Sequence, residues 1–184
     1  MTIDIFKTAV LHHSKGNFSK AKEIYENLLE KNPNDLAVLE NYGSLLSQTK
    51  EFKKADVIFK KCMALKPNDP ILLYNYGKLC HDQKIYHEAI KFYEKSFKIN
   101  PTKNFSMYNI GNIHSLQGKF EKAIFAFNKS IKANPENFLA HNNLALAYKN
   151  IGNFENASKS FENSININPN YIDGHINYST LLLM

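Results

Sequence analysis

Asn134-Pro135-Glu136-Asn137-Phe138-Leu139-Ala140-His141-Asn142-Asn143-Leu144-Ala145-Leu146-Ala147-Tyr148-Lys149-Asn150-Ile151-Gly152-Asn153-Phe154 runs from a proline stop, through an apolar and amide-rich segment, to a glycine turn and an aromatic residue. The same layout recurs along the chain. Prolines stand at Pro33, Pro67, Pro101, Pro135 and Pro169, each 34 residues after the last, and Asn32, Asn100, Asn134 and Asn168 precede four of them. With these prolines as position 32 of a 34-residue unit, position 20 is alanine in every full copy: Ala21, Ala55, Ala89, Ala123 and Ala157. Position 17 is always aromatic (Phe18, Phe52, Tyr86, Phe120, Phe154), as is position 24 (Tyr25, Phe59, Tyr93, Phe127, Phe161). Position 8 is always small: Ala9, Gly43, Gly77, Gly111, Ala145 and Ser179. A period sustained this way marks a repeat array, in which each unit buries its apolar side against its neighbours.

Positions 4, 7, 8 and 11, and then 17, 20, 24, 27 and 28, follow the spacing of single helical faces. Two amphipathic helices per unit are therefore predicted, helix A and then helix B. Small residues at positions 8 and 20 let the two backbones approach, and the aromatics fill the space beside them. Glycine in turns such as Lys15-Gly16-Asn17 and Ile151-Gly152-Asn153 supplies a left-handed stop, and proline at position 32 ends helix B. The units read as 2–35, 36–69, 70–103, 104–137 and 138–171, with a partial sixth at 172–184, in a single array over residues 1–184. The sixth unit offers only a helix A, leaving Tyr178, Leu181, Leu182 and Leu183 without their helix B. A solenoid needs a polar cap. The expectation is an N-terminal part of a longer chain, with the apolar last helix a candidate self-association surface.

The composition narrows the function classes. The chain has 184 residues, 43% of them hydrophobic and 22% charged, with a formal charge of +6. No apolar run approaches the ~18 residues of a membrane span, and the N-terminus lacks the layout of a secretory signal, so a cytoplasmic protein with no membrane partner is expected. All 23 basic residues are lysines, so the forked guanidinium suited to phosphate capture is missing. Most lysines fall on B helices among Glu26, Glu94 and Glu162, the pattern of a solvated face rather than a nucleic-acid surface. Cys62 and Cys80 stand apart and read as reduced core thiols. The histidines His12 and His114 share position 11, and His141 and His175 share position 4, a placement explained by repeat packing. No metal or cofactor is expected, and none of the common catalytic motifs occurs. Sequons at Asn17, Asn104, Asn128, Asn156 and Asn177 are read as accidental in an asparagine-rich chain.

Period, small positions, aromatics and terminal proline together resemble the tetratricopeptide repeat (TPR) family over Thr2 to Met184, apart from the missing tryptophan at position 4 and Thr8 in the first unit. The resemblance implies an all-α fold, a right-handed TPR solenoid with A helices lining a concave surface, and a non-enzymatic scaffold for protein–protein interaction.

One feature exceeds what folding requires. Position 6 reads Asn41, Asn75, Asn109, Asn143 and Asn177, broken only by Lys7 in the first unit, although asparagine is a poor helix former. Each amide offers an acceptor and two donors, enough to pair with a peptide backbone. The alternative is that these amides bridge neighbouring A helices. Segments such as Asn41-Tyr42-Gly43 and Asn143-Leu144-Ala145 resemble the superhelical TPR region of O-GlcNAc transferase and its bacterial relatives, and that resemblance implies that the five asparagines hold substrate backbone. Position 2 departs from that family's aspartates, reading Ala37, Ile71, Phe105, Leu139 and only then Asp173, so side-chain preference should lean apolar. The basic clamp by which other TPR proteins hold a carboxylate tail is replaced by Glu40, Ile71, Tyr74 and Asn75. The candidate peptide-binding residues are Asn41, Asn75, Asn109, Asn143 and Asn177, with Tyr74 and Tyr108 at position 5 and Asn112 at position 9. The expected partner is a protein or peptide in extended conformation. The alternative role is the substrate-recognition arm of a larger, glycosyltransferase-like enzyme.

Overall fold

The structure is a computed structural model that describes residues 2–101 and 105–184, with side chains from Asp4 onward. The Asn104 sequon and the boundary between the third and fourth units lie outside the described residues. Eleven helices are present among the described residues, and no strand. The A helices are α1 (Thr2–Ser14), α3 (Leu36–Gln48), α5 (Pro70–Asp82), α7 (Ser106–Leu116), α9 (Phe138–Asn150) and α11 (Ile172–Leu182). The B helices are α2 (Phe18–Lys31), α4 (Phe52–Leu65), α6 (Tyr86–Ile99), α8 (Phe120–Ala133) and α10 (Phe154–Ile167).

Local chemistry sets the boundaries. Asp35 accepts from the Val38 amide, Asp69 from those of Ile71 and Leu72, and Asn137 from that of Ala140, so the A helices α3, α5 and α9 start under side-chain caps. Every B helix begins on the aromatic of position 17. The turns before α2, α8 and α10 pass through Gly16, Gly118 and Gly152 at φ +75°, +69° and +76°, where glycine carries no Cβ penalty. Lys50 and Lys84 hold the equivalent place at φ 62° and 61°. At the far end Asn32, Asn134 and Asn168 leave the helix with ψ of 88°, 93° and 89°, the extended conformation that a following proline imposes.

Packing follows the 34-residue frame. The five alanines of position 20 are fully buried, and so are the five aromatics of position 24. Gly111 shows why position 8 is small: a Cβ there would stand 2.4 Å from Cε1 of Phe127. At Gly43 the equivalent distance to Phe59 is 3.2 Å.

The chain forms two compact units, one ending at Phe92 and the other starting at Tyr93, so the division falls inside α6. In unit one, polar ties join successive repeats. The Tyr42 hydroxyl donates to Glu26 at 2.6 Å and the Tyr76 hydroxyl to Asp56 at 2.7 Å. Lys22 on α2 donates to both oxygens of Glu51, the residue before α4, and Lys54 binds Glu51 from the other side at 3.0 Å. In unit two the Tyr178 hydroxyl donates to Glu162, and Ser164 donates to the Phe138 carbonyl at 2.8 Å. His141 and His175 each place Nε2 about one hydrogen-bond length from the carbonyl of the repeat-closing proline, at 3.0 and 2.9 Å.

The Glu51 cluster gives a pH dependence. Hydrogen bonds from Lys22 and Lys54 hold its carboxyl at about 2, below its ordinary value of 4.5. A depressed carboxyl stabilises the fold above the unfolded pKa, and that contribution is lost as pH falls from about 4.5 toward 2. Glu51→Gln should therefore lower stability by about 0.5–1 kcal/mol at pH 7 and cost little at pH 2.5, as checked by urea denaturation at the two pH values. An equal loss at both pH values would mean that packing, not the charge, carries the effect.

Candidate functional site

The sequence-selected residues fall on A helices and divide between the two units. In unit one, Asn41 is half-buried on α3 and donates Nδ2 to its own helix, to the Ala37 carbonyl at 2.8 Å. Tyr74 and Asn75 are half-buried side by side on α5.

Unit two brings its residues together. Asn143 on α9 donates Nδ2 to Oδ1 of Asn112 on α7 at 2.8 Å and also to the Tyr108 hydroxyl at 3.3 Å. Its own Oδ1 accepts from Asn142 at 3.0 Å, and Asn142 Oδ1 accepts from Asn177 on α11 at 3.1 Å. The series Asn112, Asn143, Asn142, Asn177 thus links three successive A helices through side-chain amides. Asn109 lies half-buried on α7, one turn before Asn112. The bridging weighed as an alternative at the sequence level is what Asn143 and Asn177 do. It leaves both N–H groups of Asn112 and Oδ1 of Asn177 without a protein partner among the described residues.

Asn142 is the link that sequence reasoning missed. It sits at position 5, outside the position-6 series, and is 2% exposed. The doublet Asn142-Asn143 was its only signal: an asparagine one step round the helix from a half-buried one needs a partner of its own once it faces inward.

The surroundings are apolar and nearly neutral. Phe105 lies edge-on to Tyr108 with centroids 6.4 Å apart, and Tyr108 in turn abuts Phe127. Phe138 and Tyr171 pair at 5.0 Å. Ile176 on α11 is largely exposed, as are Ile172, Leu182 and Leu183. The charged residues of these helices are Lys149 and Asp173.

The two cysteines behave as packing residues. Cys62 and Cys80 are buried and free, and burial pushes their thiols up to about 12 and about 11, which disfavours the reactive thiolate. Burial also lowers the pKa of His13, His81 and His114. Among the described residues no group of three His, Cys, Asp or Glu side chains converges as metal ligands, and no helix is long and apolar enough to cross a membrane.

The family model described as TPR repeat matches residues 111–152, and the tetratricopeptide repeat model matches residues 138–171. The chain belongs to the tetratricopeptide-repeat family. The model described as anaphase-promoting complex, cyclosome, subunit 3 matches residues 14–96 of this TPR chain. No curated protein matches the sequence significantly. Among solved structures, MamA is 22% identical with a TM-score of 0.75, over 94% of this chain and 94% of that one. PilF of Pseudomonas aeruginosa is 18% identical with a TM-score of 0.80, over 99% of this chain and 89% of its own. YrrB, described as a TPR protein with an unusual peptide-binding site, is 18% identical with a TM-score of 0.69, over 95% and 90% of the two chains. At these identities the likeness establishes the all-α TPR fold and nothing finer.

Proposed function

We propose that this TPR chain is an interaction scaffold that holds an extended peptide segment of a partner protein along its A helices, with the unit-two amides as rungs. The observation that carries the reading is the bonded series from Asn112 through Asn143 and Asn142 to Asn177. Leucine or alanine at these positions would favour the helices more. The bridging fixes the amide rotamers, which reduces the ordering cost of binding, and it leaves Asn112 and Asn177 with groups to offer a ligand. Neighbouring A helices pack roughly 8–10 Å apart, so an extended chain rising about 3.3 Å per residue meets one rung at about every third residue. At about 0.5–1.5 kcal/mol net per hydrogen bond, the expected affinity is modest. The peptide-binding site named for YrrB, on a chain of the same fold, supports the reading. A substrate-presenting arm of a larger transferase would use the same amides, with the bound segment being the one to be modified.

The test is selection of random twelve-residue peptides on the immobilised chain, followed by affinity measurement on wild type and on Asn112→Leu/Asn177→Leu. The selected peptides should bind wild type in the micromolar range and the double variant at least tenfold more weakly; because Asn177→Leu also takes the donor from the buried Oδ1 of Asn142, the variant should melt several degrees lower, and binding is compared well below both transitions. No enriched peptide, or equal binding to both proteins, would remove the proposal.

A further inference from the structure

One side of α11 packs and another is apolar and open. Leu181 and Tyr178 join Phe161 and Ala157 of α10 in one cluster. Ile172, Ile176, Ser179 and Leu183 follow at intervals of four, three and four residues, so at about 3.6 residues per turn they line a single stripe away from that cluster. Leu183 keeps helical backbone just past the helix end, at φ −90° and ψ −2°. Ile172 is 72% exposed, Ile176 57% and Leu183 90%, with Ser179 exposed between them. The same repeat positions are covered on the preceding A helices. At position 8, Gly111 of α7 abuts the ring of Phe127, and Ala145 of α9 packs with Ala157 and Phe161. At position 5, Asn142 of α9 is buried. On α11 these positions are Ser179 and Ile176, which have no such cover among the described residues.

The stripe is complementary to itself. An interval pattern of four, three and four is the seam of a helix pair, and it reads the same from either end. Laid antiparallel on a second copy, Ile172 meets Leu183 at each end, and Ile176 meets the small Ser179 at the centre, where the helices can approach. Asp173 is the one acidic or basic residue of α11. In this register the two Asp173 side chains stand nine residues, about 14 Å, apart along the axis, whereas a parallel pair would bring the like charges level. With Leu182 and Met184 at its edges, the exposed apolar surface is on the order of 650 Å² per copy, against roughly 800 Å² buried by each partner in a stable complex.

We propose that α11 is a homodimerisation surface, its stripe packed antiparallel against the same stripe of a second copy in a two-fold contact. Asn177, bonded to Asn142 of α9, lies about 120° round the helix from the stripe, so the contact does not use the amide series and stands independently of the peptide-binding reading.

The test is sedimentation equilibrium of the full chain from about 2 to about 200 µM. The average mass should rise from one chain to two, with a dissociation constant of tens of micromolar and no larger species. Ile176→Glu and Leu183→Glu should each weaken the dimer at least tenfold with the circular dichroism unchanged. Val57→Glu, at a residue 64% exposed on α4, should leave the dimer intact. Mild oxidation of an equal mixture of Ile176→Cys and Ser179→Cys should form the mixed disulfide in excess over either like-with-like product, the native Cys62 and Cys80 being buried. A monomer over the whole range, a dimer indifferent to Ile176→Glu and Leu183→Glu, an equal loss with Val57→Glu, or an excess of like-with-like disulfides would overturn the proposal.

Discussion

Phe127→Ala should destabilise unit two by about 3–5 kcal/mol, the loss typical of a fully buried aromatic whose cavity does not close. The ring is 0% exposed, and it packs with Ala123 of its own helix and with Leu144 and Ala147 of α9, with Tyr108 and Tyr148 at the edges. It also lies against Gly111 of α7. One side chain therefore fixes the A helix of its own repeat and that of the next. Phe125 supplies the control two residues away: it is 62% exposed, with Lys129 Nζ 4.5 Å from its ring centroid. Phe125→Ala should cost less than about 1 kcal/mol. Urea denaturation followed by circular dichroism checks both, and similar losses for the two variants would contradict the packing described for α8.

Gly111→Ala should lower stability by about 1–3 kcal/mol, against the usual direction for an exposed helix interior. Replacing glycine by alanine inside a helix ordinarily gains about 1 kcal/mol. Here the new methyl would meet Phe127 at 2.4, 2.5 and 2.8 Å, and a ring buried on all sides can move only by displacing α9. Gly43→Ala faces contacts of 3.2 Å to Ile58 and Phe59, a gap that a slight shift relieves, so its effect should lie within about 0.5 kcal/mol of zero. Thermal melts of the pair provide the check. Equal effects at the two positions would mean that the helix crossings of the two repeats do not differ as the distances state.

These two glycines show where the sequence stops being legible. That position 8 must be small follows from its alternation with the aromatics at 17 and 24, and the period makes helix order and turns readable before any coordinate. How close Gly111 comes to Phe127, relative to Gly43 and Phe59, depends on tenths of an ångström in helix crossing, which no residue pattern encodes. The division inside α6 is hidden for a similar reason, because the 34-residue spacing runs unbroken through Tyr86, Ala89 and Tyr93.

The candidate site was legible in part. Five asparagines at one position announced an amide surface, but the period treats all five alike. The structure does not: Asn41 folds back on Ala37, whereas Asn143 and Asn177 join a series completed by Asn112 and the buried Asn142. That difference comes from neighbours at other positions. Asn143 meets Tyr108 and Asn112 at positions 5 and 9 of the preceding A helix, whereas the same positions before Asn41 hold Phe6 and Val10, whose side chains offer it no hydrogen-bonding group. The tyrosine–carboxylate ties from Tyr42, Tyr76 and Tyr178 were missed although the three donors share position 7 and two acceptors, Glu26 and Glu162, share position 25; only Asp56, at position 21, breaks the pattern.

The most direct measurement of the central claim is a map of side-chain amide resonances, by two-dimensional NMR of the ¹⁵N-labelled chain titrated with the tightest peptide from the random library. Binding along the A helices of unit two predicts that the side-chain NH₂ signals of Asn112, Asn143 and Asn177 shift together and saturate at one affinity, while those of Asn128 and Asn163 on the B helices stay in place. Shifts confined to the B-helix asparagines, with the three A-helix amides unmoved at saturation, would contradict it.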